Sequence, residues 1–174
     1  MAIDPSTARI TRVDRSFAFI DLSGFTAFTD NEGDDRAVEV LAAFRHIVRE
    51  IASARGVRIA KWLGDGAMLV GVEAEPLTEA IIEIERQSAA TVPLALRAGV
   101  TSGPVILIDG DDYIGHAVNM ASRLCGEAAP HEVLAPADTI SALLVNTHVE
   151  PVGRRYIEGL GEPVEVVRLT SPDG

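Results

Sequence analysis

The strongest constraint on the fold is a tight-turn signal, Gly64-Asp65-Gly66, between two short apolar runs. An Asp-Gly pair in that position favours a hairpin, which joins neighbouring antiparallel strands. A second turn signal, Ser102-Gly103-Pro104, separates two further apolar runs. Hairpins between the helices exclude a doubly wound parallel sheet, in which each connection crosses over through a helix. We therefore predict an α+β fold, a ferredoxin-like antiparallel sheet with helices packed on one face.

Hydrophobic periodicity predicts the element order βαββαββα, followed by a smaller αβ unit. Apolar residues at helical spacing predict a helix over 36–54 that ends at Gly56, and a short helix begins at Phe25. Residues 1–14 and 171–174 are predicted to be tails of one domain, 15–170. The remaining predictions are helices at 76–90, 115–126 and 136–144, and strands at 16–22, 57–63, 67–72, 94–101, 105–108, 132–135 and in the remainder of the domain after residue 144.

Charge and cysteine content exclude several classes of function. The net charge of −11 repels nucleic acid backbones and anionic lipid, so neither is an expected partner. One cysteine excludes a disulfide scaffold, and no signal peptide or membrane-spanning run is found, so we expect a cytoplasmic protein. An anionic small molecule accompanied by metal cations remains compatible with this charge.

Two aspartates at strand ends are candidate metal ligands. Asp21 shares a strand face with apolar neighbours, and the backbone amides of Gly24, Phe25 and Thr26 that follow can bind an anion at a helix start. If the first strand and the Asp65 hairpin share a sheet, the two carboxylates form a site for two Mg²⁺ or Mn²⁺ ions. The alternatives are a helix cap for Asp21 and an ordinary hairpin turn for Asp65.

A helix near residue 120 presents a second group of polar side chains. Asn119 and Arg123 are four residues apart, so they share a helix face and can bind a phosphate or a ribose. The alternative is a solvated helix face. Lys61 is the only lysine among the 15 basic residues, which favours a specified role for its ammonium group.

Four motifs in register resemble one family. They are Phe19-Ile20-Asp21-Leu22-Ser23-Gly24-Phe25-Thr26, Lys61-Trp62-Leu63-Gly64-Asp65-Gly66, Arg97-Ala98-Gly99-Val100-Thr101-Ser102-Gly103, and Asp112-Tyr113-Ile114-Gly115 continuing into Val118-Asn119-Met120-Ala121-Ser122-Arg123. In this order and spacing, the chain resembles the catalytic domain of class III adenylate and guanylate cyclases over about residues 15–170.

The resemblance implies a role for each matching position. Asp21 and Asp65, with the Leu22 carbonyl, would bind two divalent metal ions, Mg²⁺ or Mn²⁺. Lys61 and Asp112 would recognise the base, Asn119 would position the ribose, and Arg123 would stabilise the pentacoordinate phosphorus. It also implies a head-to-tail homodimer, in which the aspartates of one chain and the other groups of its partner form each site.

The donor pattern of the base readers favours ATP over GTP. An ammonium donor and a carboxylate acceptor match adenine N1 and the 6-amino group, and guanine has the reverse polarity. The sequence thus predicts an adenylate cyclase; the alternatives are a guanylate cyclase and a catalytically silent nucleotide-binding or interaction module of the same fold.

One departure from the family concerns the outer phosphates: Glu158 stands in the stretch where many members carry a lysine, and Arg154 or Arg155 would have to substitute.

Overall fold

The computed structural model describes residues 9–141 and 143–173. Its helices are α1 (Phe25–Glu32), α2 (Asp34–Ala54), α3 (Ala74–Thr91) and α4 (His116–Glu127). Its strands are β1 (Ile10–Leu22), β2 (Arg58–Leu63), β3 (Gly66–Gly71), β4 (Leu96–Ile108), β5 (Asp112–Ile114), β6 (Val133–Pro136), β7 (His148–Arg155) and β8 (Val164–Thr170). Within the described ranges, no helix has both the length and the apolar character needed to cross a membrane.

The strands form one eight-stranded sheet in the order β2-β3-β1-β4-β6-β8-β7, with β5 paired to β4. The pairings are antiparallel except that of β4 with β6, which is parallel. The predicted α+β class and the hairpin around Gly64-Asp65-Gly66 are therefore confirmed, and the sheet is mixed rather than purely antiparallel.

Helices cover both faces of the sheet, so the prediction of helices on one face is wrong. Ala18, Ile20 and Leu22 of β1 pack into the large core under α2 and α3. Phe17 faces the other way, into a second core that includes Ala117 and Ala121 of α4. Because strand side chains alternate between the two faces of a sheet, β1 needs apolar residues at both odd and even positions, and it has them.

The predicted hairpin around Ser102-Gly103-Pro104 is also wrong, because these residues lie inside the continuous strand β4. β4 pairs with β1 from Ile10↔Ile108 to Leu22↔Leu96, and the Ser16 and Ser102 hydroxyls are 2.6 Å apart. Pro104 is tolerated because only β1 pairs with β4 at that point. The long pairing with β1 overrides the local turn preference.

Two other element predictions need correction. β1 begins at Ile10 rather than at residue 16, within the stretch predicted as a tail, because it follows β4 to its end. Instead of a helix over 136–144, the described residues contain a 3-10 turn at Ala137–Thr139, and Ala142 lies outside the described residues. The segment follows directly from β6, whose last residue is Pro136.

Candidate active site

Asp21 lies at the end of β1 and is held by an arginine that the sequence reasoning did not single out. Arg97 Nε donates to Asp21 Oδ1 at 2.6 Å, and Arg97 Nη2 donates to Oδ2 at 3.1 Å. The two residues are direct partners in the β1–β4 register. This two-point contact fixes the orientation of the Asp21 carboxylate. Only knowledge that β1 and β4 are neighbours could have revealed it, although Arg97 opens one of the quoted motifs.

Asp65 lies in the turn between β2 and β3, next to Asp21. Leu22 N donates to the Asp65 carbonyl at 3.3 Å, and Gly66 pairs with Asp21 in the β1–β3 register. A side chain at Gly66 would collide with the Ile20 carbonyl, so glycine permits the close approach of the turn to β1. Asp21 and Asp65 line one cavity of about 220 Å³, so the structure brings the two predicted metal ligands together.

Burial raises the pKa of Asp65 above its ordinary value. A hydrogen bond from its own backbone amide opposes that rise, the negative charge of Asp21 adds to it, and Arg97 again opposes it. Asp21 and Asp65 line one cavity, so a cation between their carboxylates would stabilise both charges by removing their mutual repulsion.

The donor set fits a hard divalent cation. Both aspartates supply oxygen, and each oxygen of Asp21 retains a lone pair while it accepts from Arg97. No group of three or more His, Cys, Asp or Glu side chains suited to a metal occurs in the described ranges. That is compatible with Mg²⁺, which is usually bound by one or two carboxylates together with substrate phosphates and water.

α1 starts four residues after Asp21 and offers free backbone amides. Gly24 adopts the left-handed conformation with φ of 74°, and no side chain caps the helix. The first-turn amides of Phe25 and Thr26 therefore point out of the helix end without a capping partner. This is the arrangement that the predicted phosphate cradle requires.

Lys61 and Asp112 are 51 residues apart in the chain and in contact in the structure. Lys61 Nζ on β2 lies 3.3 Å from Asp112 Oδ1 at the start of β5, and both side chains are about half exposed. Tyr113 N also donates to Asp112 Oδ1, at 3.0 Å. An ammonium donor and a carboxylate acceptor thus lie side by side on an open surface, as the predicted base readers would.

Asn119 and Arg123 line a second cavity on α4, of about 410 Å³, together with Ser122, Gly126, Glu127 and Glu158. Ser122 and Gly126 also line the aspartate cavity, so the two cavities adjoin each other along α4. Asn119 and Arg123 line the second cavity and are not among the residues that line the first.

Gly159, a second residue that the sequence reasoning missed, makes room for Arg123. A Cβ at Gly159 would lie 2.8 Å from both Cζ and Nη2 of Arg123, and its φ is +81°. The turn that carries Glu158 and Gly159 therefore packs directly on the guanidinium group. Glu158, in the same turn, lines the Arg123 cavity.

Cys125 also lines the aspartate cavity but is poorly suited to act as a nucleophile. Burial and the nearby Asp21 charge raise the pKa of its thiol to about 12. The thiol therefore stays protonated at neutral pH, and the buried side chain acts as a small apolar packing residue.

Comparisons with known proteins agree with the motif pattern. Residues 11–170 match the family model described as the adenylate and guanylate cyclase catalytic domain. An uncharacterised protein of Mycobacterium tuberculosis is 37% identical over 152 residues, which cover 87% of this chain and 40% of that protein. An adenylate cyclase of Streptomyces coelicolor is 32% identical over 142 residues, covering 80% of this chain and 37% of that protein. This chain therefore spans well under half the length of these relatives.

The fold is similar to that of an adenylyl cyclase from P. aeruginosa. The two structures superpose with a TM-score of 0.84, over 94% of this chain and 96% of that one. At 22% sequence identity, this similarity supports the fold alone.

Proposed function

This chain belongs to the adenylate and guanylate cyclase catalytic domain family, and from that premise we propose that it converts ATP to 3′,5′-cyclic AMP and pyrophosphate. The observation that carries the choice of ATP is the contact of Lys61 Nζ with Asp112 Oδ1 at 3.3 Å. It supports a site in which a donor faces adenine N1 and an acceptor faces the 6-amino group. With guanine, the same two groups would face a donor and an acceptor of the wrong polarity.

In this proposal, Asp21 and Asp65 bind two divalent cations with the help of the Leu22 carbonyl. When bound, the cations supply activation of the ribose 3′-oxygen and neutralise charge on the phosphates. Arg97 keeps the Asp21 carboxylate oriented through its two hydrogen bonds. The amides at Gly24, Phe25 and Thr26 bind phosphate oxygens at the start of α1, beside the aspartates.

The reaction exchanges one phosphorus–oxygen bond for another. The ribose 3′-oxygen bonds to the α-phosphorus, the bond from that phosphorus to the bridging oxygen breaks, and pyrophosphate leaves with the bonding electrons. The 3′-hydroxyl proton passes to solvent. Asn119 orients the ribose, and Arg123 stabilises negative charge that develops around the α-phosphorus in the transition state.

We propose a head-to-tail homodimer as the active form. Asn119 and Arg123 line a cavity separate from that of Asp21 and Asp65, which supports their acting on a nucleotide bound by the partner's aspartates. The half-exposed Lys61–Asp112 pair supports the same arrangement, because base recognition by charged groups gains strength when a second surface excludes water.

The direct test is to incubate the protein with ATP or GTP and Mg²⁺ or Mn²⁺ and to detect cyclic nucleotide by chromatography. We expect cyclic AMP from ATP, and loss of nearly all of it in Asp21→Ala and Asp65→Ala, because each variant lacks a metal ligand. Asp30→Ala, at an exposed acid on α1, is the control and should keep wild-type activity. Cyclic GMP as the main product, or activity retained in both metal-site variants, would refute the assignment.

A further inference from the structure

We propose that Arg45 is a positioning residue that fastens the Gly64–Asp65 turn to α2 and thereby holds the Asp65 carboxylate ready for a divalent cation. The inference rests on the proposed function, in which Asp65 is a metal ligand. It assigns a role to a contact between α2 and the β2–β3 turn that the reaction itself does not use.

The contact is a hydrogen bond from a side chain to the turn's backbone. Arg45 Nη2 donates to the Gly64 carbonyl at 3.0 Å. Gly64 adopts the left-handed conformation with φ of 63°, and its carbonyl belongs to the peptide unit that carries the Asp65 amide. Restraining this peptide restrains the backbone from which the Asp65 side chain projects.

Trp62 sets the position of the Arg45 guanidinium. The Arg45 Cζ lies 4.8 Å from the Trp62 ring centroid, and Trp62 packs against the core under α2. Arg45 Nε is buried and has no hydrogen-bond partner among the described residues. Burying an unpaired donor costs free energy, so the stacked position is maintained by other contacts, which include the Trp62 ring and the Gly64 carbonyl.

Arg49 shares the stack on Trp62 but has no hydrogen bond to the turn in the described contacts. Its Cζ lies 5.0 Å from the same ring centroid, one helical turn after Arg45. The two arginines thus differ chiefly in the bond to Gly64, which makes Arg49 a matched control for charge and for stacking.

The opposite side of the turn is anchored to β1. Leu22 N donates to the Asp65 carbonyl at 3.3 Å, and Gly66 packs against the Ile20 carbonyl. Asp65 therefore lies between an anchor on β1 and an anchor on α2. Glycines on both sides of Asp65 leave the free turn many conformations, and ordering them would otherwise weaken cation binding.

The experiment measures Mn²⁺ binding directly, from the electron paramagnetic resonance signal of free Mn²⁺ in a titration without nucleotide. Arg45→Met should weaken Mn²⁺ binding about five-fold, the range expected for loss of one hydrogen bond. Arg49→Met, which also removes one charge and one stacking contact, should bind Mn²⁺ as the wild type does. Arg45→Leu and Arg49→Leu, which also remove the donor at each position, give the same comparison if Arg45→Met does not fold.

Kinetics provide the second measurement. Arg45→Met should need more Mn²⁺ for half-maximal cyclic AMP formation and should regain wild-type kcat at saturating Mn²⁺. Equal Mn²⁺ affinities in the Arg45 and Arg49 variants would overturn the inference while leaving the metal site intact. Mn²⁺ binding by the wild type that is absent, or is unaffected by Asp65→Ala, both without nucleotide and with the non-cyclisable analogue 3′-deoxy-ATP would refute the metal site and the inference with it.

Discussion

At the scale of single residues, Lys61 and Asp112 are the pair to which the proposed function assigns the choice of ATP over GTP. Lys61→Glu replaces a donor by an acceptor opposite adenine N1, so the ATP rate should fall sharply. It also replaces the 3.3 Å ion pair of Lys61 and Asp112 by two carboxylates that repel each other. Asp112 must therefore be changed as well. Lys61→Glu with Asp112→Ser should raise the GTP-to-ATP ratio of kcat/KM at least ten-fold, which requires only about 1.4 kcal/mol.

Steady-state kinetics with both nucleotides check this prediction. Arg36→Glu, an equal charge change in an exposed ion pair on α2, should leave the ratio unchanged. If Lys61→Glu keeps both the ATP rate and the preference for ATP, the pair does not read the base.

Gly159 gives a second residue-scale prediction, through its contact with Arg123. Gly159→Ala places a Cβ 2.8 Å from the guanidinium and should push Arg123 aside, lowering kcat about ten-fold or more with little change in KM. The control is Gly153→Ala, which has a similar φ of +87° but open space around the Cβ. Both variants should lose about 1 kcal/mol of folding stability from the left-handed conformation.

A double-mutant comparison separates displacement of Arg123 from general damage. In an Arg123→Ala background, Gly159→Ala should cause no further loss of the residual rate, because its effect acts through the missing guanidinium. Equal kcat losses in Gly153→Ala and Gly159→Ala would instead indicate backbone strain alone.

At the scale of elements, the packing of α4 against β4 sets the positions of Asn119 and Arg123. A Cβ on Gly99 would collide with the Ala121 carbonyl and approach Cys125 N to 2.6 Å, both backbone atoms of α4. Because a backbone cannot yield as a side chain can, Gly99→Ala should cost about 1–3 kcal/mol, or roughly 3–10 °C in Tm, and should impair turnover.

Gly126→Ala is the matched stability control, since Gly126 lies on the same helix with nothing near its Cβ. It should raise Tm slightly, as expected when alanine replaces glycine in a helix. Differential scanning calorimetry distinguishes the two, and a wild-type Tm for Gly99→Ala would mean that α4 is not held by this close approach.

The elements that could be predicted from sequence are those with local causes. The hairpin at Gly64-Asp65-Gly66 and the helix ending near Gly56 follow from turn chemistry and from hydrophobic periodicity. The same signals placed Asp21 at the end of a strand and Asn119 with Arg123 on one helix. These local patterns were enough to predict most of the candidate site residues.

What the sequence could not provide depends on long-range pairing. Ser102-Gly103-Pro104 has turn chemistry, and only its pairing with β1 keeps it extended. The contact of Arg97 with Asp21 and that of Lys61 with Asp112 join residues 76 and 51 positions apart. Each depends on which strands become neighbours, which no single segment encodes.

At the scale of the whole molecule, the proposed homodimer divides each active site between two chains. Asp21→Ala and Arg123→Ala damage different halves, so each variant should be inactive alone. Mixed after mild dissociation, they should form heterodimers in which one site receives both lesions and the other is intact. With random exchange, half of the dimers are heterodimers with one working site of two, so activity should recover to about one quarter of the wild-type value.

The control mixture pairs two lesions in the same half of the site. Asp21→Ala with Asp65→Ala also forms heterodimers, but each site then lacks one metal ligand, so activity should not recover. This contrast isolates the division of the site from any general benefit of mixing, because both mixtures contain an Asp21→Ala chain and differ only in the partner's lesion. Recovery in neither mixture, with heterodimers verified by native mass spectrometry, would mean that one chain supplies a whole site. The separate cavities of Asp21 with Asp65 and of Asn119 with Arg123 would then need to be bridged within the chain, across the edge of α4 at Ser122 and Gly126.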